Sequence, residues 1–143
     1  MIEQRRLTGY EIDTLLIEAP DSEKRNLIKV LKELKMSGYE FFDKYAIDHF
    51  GLISNERPIY MVALVKNDEG KNEMWTVVNS GVKEMVSLCK YCKRGLKGWI
   101  EKYKVIYATM EKCSPQNARW TEWLGFKKIA EDEKVISYKI GEN

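Results

Sequence analysis

The fold is decided by SPQNARWTEWLGF, residues 114–126, which follow the apolar, strand-like residues 105–110. Ser114 has a hydroxyl that can accept hydrogen bonds from free helix amides, and Pro115 suits the first helical position, where no amide proton is needed. Gly125 suits the helix end because glycine takes the left-handed conformation at no side-chain cost. One apolar face of the helix is formed, at helical spacing, by Trp120, Trp123 and Leu124. The stretch therefore predicts a strand, a turn, a short amphipathic helix and a new strand.

Composition and charge predict one domain with an ordinary surface. The chain has 143 residues, of which 44% are hydrophobic and 32% are charged. The net charge of +2 provides no electrostatic argument for binding nucleic acid or an anionic membrane. No apolar run approaches the ~20 residues that cross a bilayer, and no secretory signal is visible. We therefore expect a single domain over residues 1–143, with neither nucleic acid nor a membrane as partner.

The cysteines indicate a reducing compartment. There are three, Cys89, Cys92 and Cys113, and an odd number without an export signal favours free thiols in a cytoplasmic protein. Cys89 and Cys92 would share one helix face. A zinc site needs about four ligands, so His49 and Cys113 would have to converge with them. We therefore expect no metal.

The first elements follow from capping residues. Residues 2–7 predict a short strand. Thr8 and Glu11 have the spacing of a capping box, which predicts a helix that runs to about Glu18 and is broken by Pro20.

A second helix is predicted next, with Asp21 or Ser22 as its cap and Gly38 as its end. Residues 39–50 are rich in aromatic side chains and fit either a helix or a strand.

The second half of the chain predicts a hairpin followed by a long helix. Residues 58–66 and 74–79 form the two strands of the hairpin, joined by the polar turn 67–72. A tight connection at Ser80 and Gly81 leads into a helix over residues 82–104. The strand 105–110 and the helix described first follow, and the chain ends in two strands, over residues 126–130 and 135–140.

This order of elements, together with the helix that ends in Leu124-Gly125-Phe126, resembles the GNAT (Gcn5-related N-acetyltransferase) superfamily. The likeness is closer to GNAT-like proteins of tailed bacteriophages, including the small internal virion protein of T7-like phages. In those proteins an Arg-Trp or Arg-Phe pair, here Arg119-Trp120, precedes a similar stop. The resemblance implies an α+β, three-layer fold with a mixed, mostly antiparallel twisted sheet and helices on both faces.

The resemblance also implies a binding site for acetyl-CoA. In the superfamily, the pyrophosphate lies on backbone amides between the fourth strand and the long helix, where the unpaired amides and the helix dipole favour an anion. The pantetheine arm bonds along the same strand, and an asparagine begins the late helix. The matching positions are Val77, Val78, Ser80, Gly81, Val82 and Ser114. The chain departs from the family in its phosphate loop, which contains Gly81 alone, because Gly95 and Gly98 fall inside the following helix.

Two catalytic positions carry over from the family. GNAT enzymes often use a carboxylate on the fourth strand to take the proton of the amine, and Glu73 matches that place, although it would equally suit a turn residue. The acid for the leaving thiolate is often a tyrosine, which is Thr121 here. Threonine is a poor proton donor in such a role.

Two functions follow. The first is acetyl transfer from acetyl-CoA to a primary amine, on a small molecule or a protein lysine. Glu73 would act as the base through water, and backbone amides near Val77 and Val78 would polarise the thioester carbonyl. The alternative is an inactive GNAT-like phage protein that serves as a virion component or binds a host protein. The expected location is the cytoplasm of a bacterium or an infected host, or the virion.

Overall fold

The computed structural model of the chain describes residues 2–79, 85–113 and 115–142. Along these residues the elements are β1 (Ile2–Arg5), α1 (Gly9–Glu18), α2 (Asp21–Leu34), α3 (Gly38–Tyr45), β2 (Ala46–Ser54), β3 (Arg57–Lys66), β4 (Asn72–Val78), α4 (Met85–Tyr103), β5 (Val105–Glu111), α5 (Pro115–Trp123), β6 (Lys127–Glu131) and β7 (Val135–Gly141).

The described strands hydrogen-bond in the order β1-β2-β3-β4-β5-β7-β6. β1 with β2, β2 with β3, β5 with β7 and β6 with β7 pair antiparallel, and β4 pairs with β5 in parallel. The predicted α+β class and the mixed, mostly antiparallel sheet are confirmed. No helix in the described part of the chain is long and apolar enough to cross a membrane.

The chain divides into two compact units. The first comprises Met1–Val65 and Trp75–Leu88. In it, β3 is buried at every position from 58 to 65, as expected for a strand covered on both faces. The buried cluster of this unit contains Leu7, Ile12, Leu15, Leu16, Ala19, Leu27, Leu31, Phe41, Phe42, Ile53, Met61, Ala63, Val65 and Val77.

The predicted start of α1 is confirmed. The Thr8 hydroxyl accepts from the amide of Glu11, and the Glu11 carboxylate accepts from the amide of Thr8, which completes the capping box. The Arg5 guanidinium donates to both carboxylate oxygens of Glu11 at 2.8 Å. These bonds hold the pKa of Glu11 at about 2.

The predicted limits of the second helix were wrong. Its N-cap is Pro20, which makes no side-chain cap bond, and its C-cap is Lys35, with φ of 55°. Gly38 does not close this helix but is the first residue of α3. Ser37 caps α3 with a second capping box, so the chain must leave α2 before that residue.

The stretch that fitted either a helix or a strand contains both. α3 ends at Tyr45, and β2 begins at Ala46 and pairs along its length with β3. The helical half buries Phe41 and Phe42 and leaves Tyr45 exposed. Packing on one side of α3 therefore decided the helix, which periodicity over so few residues could not.

The second unit comprises Lys66–Met74 and Cys89–Asn143. Its long ladder joins β5 to β7, in register from Val105–Gly141 to Glu111–Val135. β6 pairs with the other edge of β7 and is exposed at all five positions. The two C-terminal strands that we predicted are confirmed.

α5 is the short helix predicted from residues 114–125, and one feature of it was predicted wrongly. Gly125 has φ of 108°, as its predicted role as helix stop requires. Among the described side chains of residues 117–124, the buried ones are Ala118, Thr121 and Leu124, at three-residue spacing. Trp123 therefore projects away from the buried side and is 48% exposed, with the Lys93 ammonium 4.0 Å from its ring centroid. The predicted apolar face thus excludes Trp123.

Candidate functional site

β4 carries three of the residues that sequence predicted for the site. Val77 is buried in the core of the first unit, and Val78 is half-buried. Trp75, on the same strand face as Val77, stacks on Phe41 with ring centroids 5.3 Å apart. At the end of the strand the amide of Asn79 donates to the carbonyl of Ile59 at 2.9 Å. This part of β4 is therefore held rigidly against its own unit.

Glu73 lies near the start of β4, in the second unit. Its half-buried carboxylate accepts a hydrogen bond of 3.2 Å from the Asn67 side-chain amide. Asn67 is itself fixed, because its Oδ1 accepts from the amides of Glu69 and Lys71 at 3.0 Å. Glu73 is also the β4 residue that pairs with β5, where it lies opposite Tyr107. The turn thus holds a carboxylate that stays partly accessible.

Lys71 places a positive charge in the same turn. Its ammonium lies 3.1 Å from Glu69 Oε2 and 4.9 Å from the ring centroid of Tyr107. The Glu69 carboxylate raises the pKa of Lys71, so this group is cationic at neutral pH. The first residues of β4 therefore lie beside an exposed turn that carries charges of both signs.

Thr121 is fully buried on α5, and its hydroxyl donates to the carbonyl of Asn117 at 2.7 Å. This i to i−4 bond occupies the hydroxyl proton within the helix. The other predicted cofactor-binding residues, Ser80, Gly81, Val82 and Ser114, lie outside the described residues.

Asn79, the residue directly after β4, was not among the predicted site residues. It is 3% exposed, and its Nδ2 donates to Glu18 Oε2 at 2.7 Å and to the carbonyl of Pro58 at 3.2 Å. Its Oδ1 is buried and has no hydrogen-bond partner among the described residues. The one available signal was an amide side chain directly after an apolar strand, which is common enough in turns to carry no weight by itself.

Glu18, at the end of α1, completes this contact. Its Oε2 also accepts from Arg57, from Nη2 at 2.6 Å and from Nε at 2.8 Å. The Asn79 amide and then the Arg57 guanidinium lower the pKa of Glu18. The carboxylate is therefore ionised at neutral pH, and it joins three segments of the first unit.

Two further titratable side chains, His49 and Cys89, are buried on β2 and α4. Burial lowers the pKa of His49 on β2, and burial raises the pKa of the Cys89 thiol, whose sulfur accepts from the Trp120 indole at 3.0 Å. Within residues 2–79, 85–113 and 115–142, no group of three or more histidine, cysteine or acidic side chains is placed to hold a metal ion.

No protein-family model matches the chain, and no curated protein matches its sequence. Solved structures do match it along its whole length. PseH, an N-acetyltransferase from Campylobacter jejuni solved in complex with acetyl coenzyme A, is 14% identical with a TM-score of 0.65, and 100% of each chain is covered. The PaiA N-acetyltransferase from Thermoplasma acidophilum, in complex with coenzyme A, is 15% identical with a TM-score of 0.69, over 99% of each chain.

An acetyltransferase of the GNAT family from Bacillus anthracis is 14% identical with a TM-score of 0.69, over 98% of this chain and 94% of the other. At such identities the likeness establishes the fold and leaves the chemistry to the residues. This chain has the fold of the GNAT N-acetyltransferases.

Proposed function

We propose that this protein transfers an acetyl group from acetyl-CoA to a primary amine. The observation that carries the proposal is the fold, which PseH and the PaiA N-acetyltransferase share along 100% and 99% of this chain. The fold supports acetyl-CoA as the ligand, since PseH and PaiA were solved with acetyl-CoA and CoA.

In this proposal the pantetheine arm bonds along β4, and the backbone amides near Val77 and Val78 polarise the thioester carbonyl. Amides held in a rigid strand need no reorganisation as negative charge develops on that oxygen, which is the source of their catalytic effect. Ser80, Gly81 and Val82 for the pyrophosphate, and Ser114 for pantetheine, stay predictions from the resemblance.

The chemical step is attack of a neutral amine on the thioester carbon, in which the C–N bond forms and the C–S bond breaks. Glu73 accepts the amine proton through a water molecule. The turn that holds its carboxylate keeps it partly accessible, as transfer through water needs. The acceptor amine belongs to a small molecule or to a protein lysine.

The thiolate of CoA must then gain a proton. The resemblance assigns this acid role to Thr121, whose proton is engaged by the carbonyl of Asn117. In the proposed mechanism the thiolate therefore takes its proton from water, and a substitution at Thr121 tests the acid role.

One observation favours the second candidate, an inactive phage protein that acts as a virion component or binds a host protein. Thr121 is buried and bonded within its own helix, as a residue kept for the fold would be. In that case no acyl-CoA would bind, and the partner would be a protein in the bacterial or infected-host cytoplasm or in the virion.

Calorimetric titration of the purified protein with acetyl-CoA tests the proposal, with Gly81→Val as the comparison. We expect micromolar binding by the wild type and weaker binding by the variant, whose added side chain would obstruct the predicted phosphate-binding backbone. Absence of binding at millimolar acetyl-CoA would reject acetyl transfer and favour a search for protein partners.

A further inference from the structure

The side chain of Asn79 has an orientation that its neighbours dictate. Among the described residues, two groups lie within hydrogen-bond distance of its amide nitrogen, the Glu18 carboxylate at 2.7 Å and the Pro58 carbonyl at 3.2 Å, and both can only accept hydrogen bonds. The amide nitrogen must therefore face both of them, and Oδ1 must face away. An aspartate at this position would bring two carboxylates together.

The contact joins distant parts of the first unit at the end of β4. Glu18 is 61 residues from Asn79 in sequence and belongs to α1, and it also accepts from Arg57 at the start of β3. The backbone of Asn79 is held separately, by its bond to Ile59. At this strand end β3 thus holds the main chain, while α1 and β3 together hold the side chain.

The sheet alone does not require this side chain. The bond to β3 at this point is made by the backbone amide of Asn79, so any residue other than proline could make it. What the side-chain amide provides is a fixed connection between β4 and the charged side chain of α1. Ligand-binding groups need support of this kind to hold their geometry.

We propose that Glu18 and Asn79 form a positioning pair that holds the end of β4, and with it the peptide groups of Val77 and Val78, in the geometry that binds acetyl-CoA. The inference rests on the proposed function. Neither side chain touches the cofactor; each acts through the backbone of the strand.

The test compares the affinity of Asn79→Ala, Asn79→Asp and Glu18→Gln for acetyl-CoA by calorimetry. Asn72→Ala is the matched control, since Asn72 begins the same strand and also has a buried, unpartnered Oδ1 among the described residues. We expect Asn79→Asp to weaken binding by about tenfold or more, Asn79→Ala by less, and Glu18→Gln, which keeps an acceptor oxygen, by about threefold at most. The control should bind as the wild type does.

Hydrogen exchange of the amides of residues 77–79 in the ligand-free protein provides a readout that does not depend on the cofactor. We expect faster exchange in Asn79→Ala and Asn79→Asp than in Asn72→Ala. A cooperative thermal unfolding transition shows that each variant is folded. Unchanged exchange, or unchanged affinity in a folded Asn79→Asp protein, overturns the positioning role.

The two proposals fail differently. A wild-type protein that does not bind acetyl-CoA overturns the proposed function and, with it, the cofactor role of the pair. Binding by the wild type that Asn79→Asp leaves intact overturns only the pair.

Discussion

The two ends of β4 hold their polar side chains in opposite ways. At the start, the Glu73 carboxylate is half-buried and accepts one hydrogen bond, among the described residues, from a surface turn. At the end, Asn79 is almost wholly buried and bonds to an ionised carboxylate and a carbonyl. A group that must exchange protons needs access to water, and a group that holds geometry needs to be kept from it. The proposed roles of Glu73 as base and of Asn79 as a positioning residue agree with this difference in exposure.

The largest effect that we expect tests the accessible end. Glu73→Gln should lower kcat by about 100-fold or more, because the amide cannot accept the amine proton, while acetyl-CoA affinity stays unchanged. Steady-state kinetics with calorimetry separates the two quantities. Glu69→Gln is the control, since Glu69 lies in the same turn, pairs with Lys71 and is exposed. Equal activity of the wild type and Glu73→Gln would remove Glu73 from the mechanism.

A second comparison uses the two carboxylates of α1. Glu11, at the start of the helix, closes a capping box and receives two bonds from Arg5, so Glu11→Gln should lower the free energy of unfolding by about 1–2 kcal/mol. Urea unfolding measures the loss, and the acetyl-CoA affinity of the folded variant should not change. A Glu11→Gln protein that is as stable as the wild type but binds acetyl-CoA poorly would contradict the distinction between Glu11, which stabilises the fold, and Glu18, which positions β4.

The same pair of proteins yields a pH prediction. The Arg5 guanidinium lowers the pKa of Glu11 from its ordinary value of 4.5 to about 2 in the folded protein. Its contribution to stability is therefore complete above pH 4.5 and is lost as the pH falls towards 2. The difference in unfolding free energy between wild type and Glu11→Gln should shrink across that interval. A difference that stays constant down to pH 2 would contradict the assignment.

A smaller effect is expected at Thr121. Thr121→Val removes the hydroxyl that donates to the Asn117 carbonyl, a carbonyl within α5. We expect the free energy of unfolding to change by about 1 kcal/mol at most and kcat by about threefold at most. Thermal unfolding and steady-state rates measure the two. A fall in kcat comparable to that of Glu73→Gln would assign Thr121 the acid role that the resemblance implies.

The smallest effect lies on the surface of the second unit. Lys93→Ala removes an exposed cation from the Trp123 ring and should lower the free energy of unfolding by about 0.5 kcal/mol. Lys97→Ala, on the same helix, is the control. A loss several times larger would mean that Trp123 supports the unit far more than its exposure indicates.

Much of the fold could be predicted from local chemistry. The Thr8–Glu11 capping box, the polar turn at residues 67–72 and the glycine stop at Gly125 each depend on neighbours within a few positions, and each is confirmed. The errors arose where tertiary packing chose between acceptable local states. Lys35 ends α2 in the left-handed conformation that glycine was expected to provide, and Trp123 faces water despite its apolar side chain.

For the candidate site, too, local features could be predicted from sequence and long-range contacts could not. The sequence alone predicted a strand over residues 74–79, which overlaps β4 (Asn72–Val78) because strand periodicity and the turn before it are local, but its limits were two residues late at the start and one at the end. Tertiary packing alone brings Asn79 to Glu18 and buries Thr121. A contact across 61 residues depends on how helices and strands pack, and no pattern within either segment specifies its distant partner.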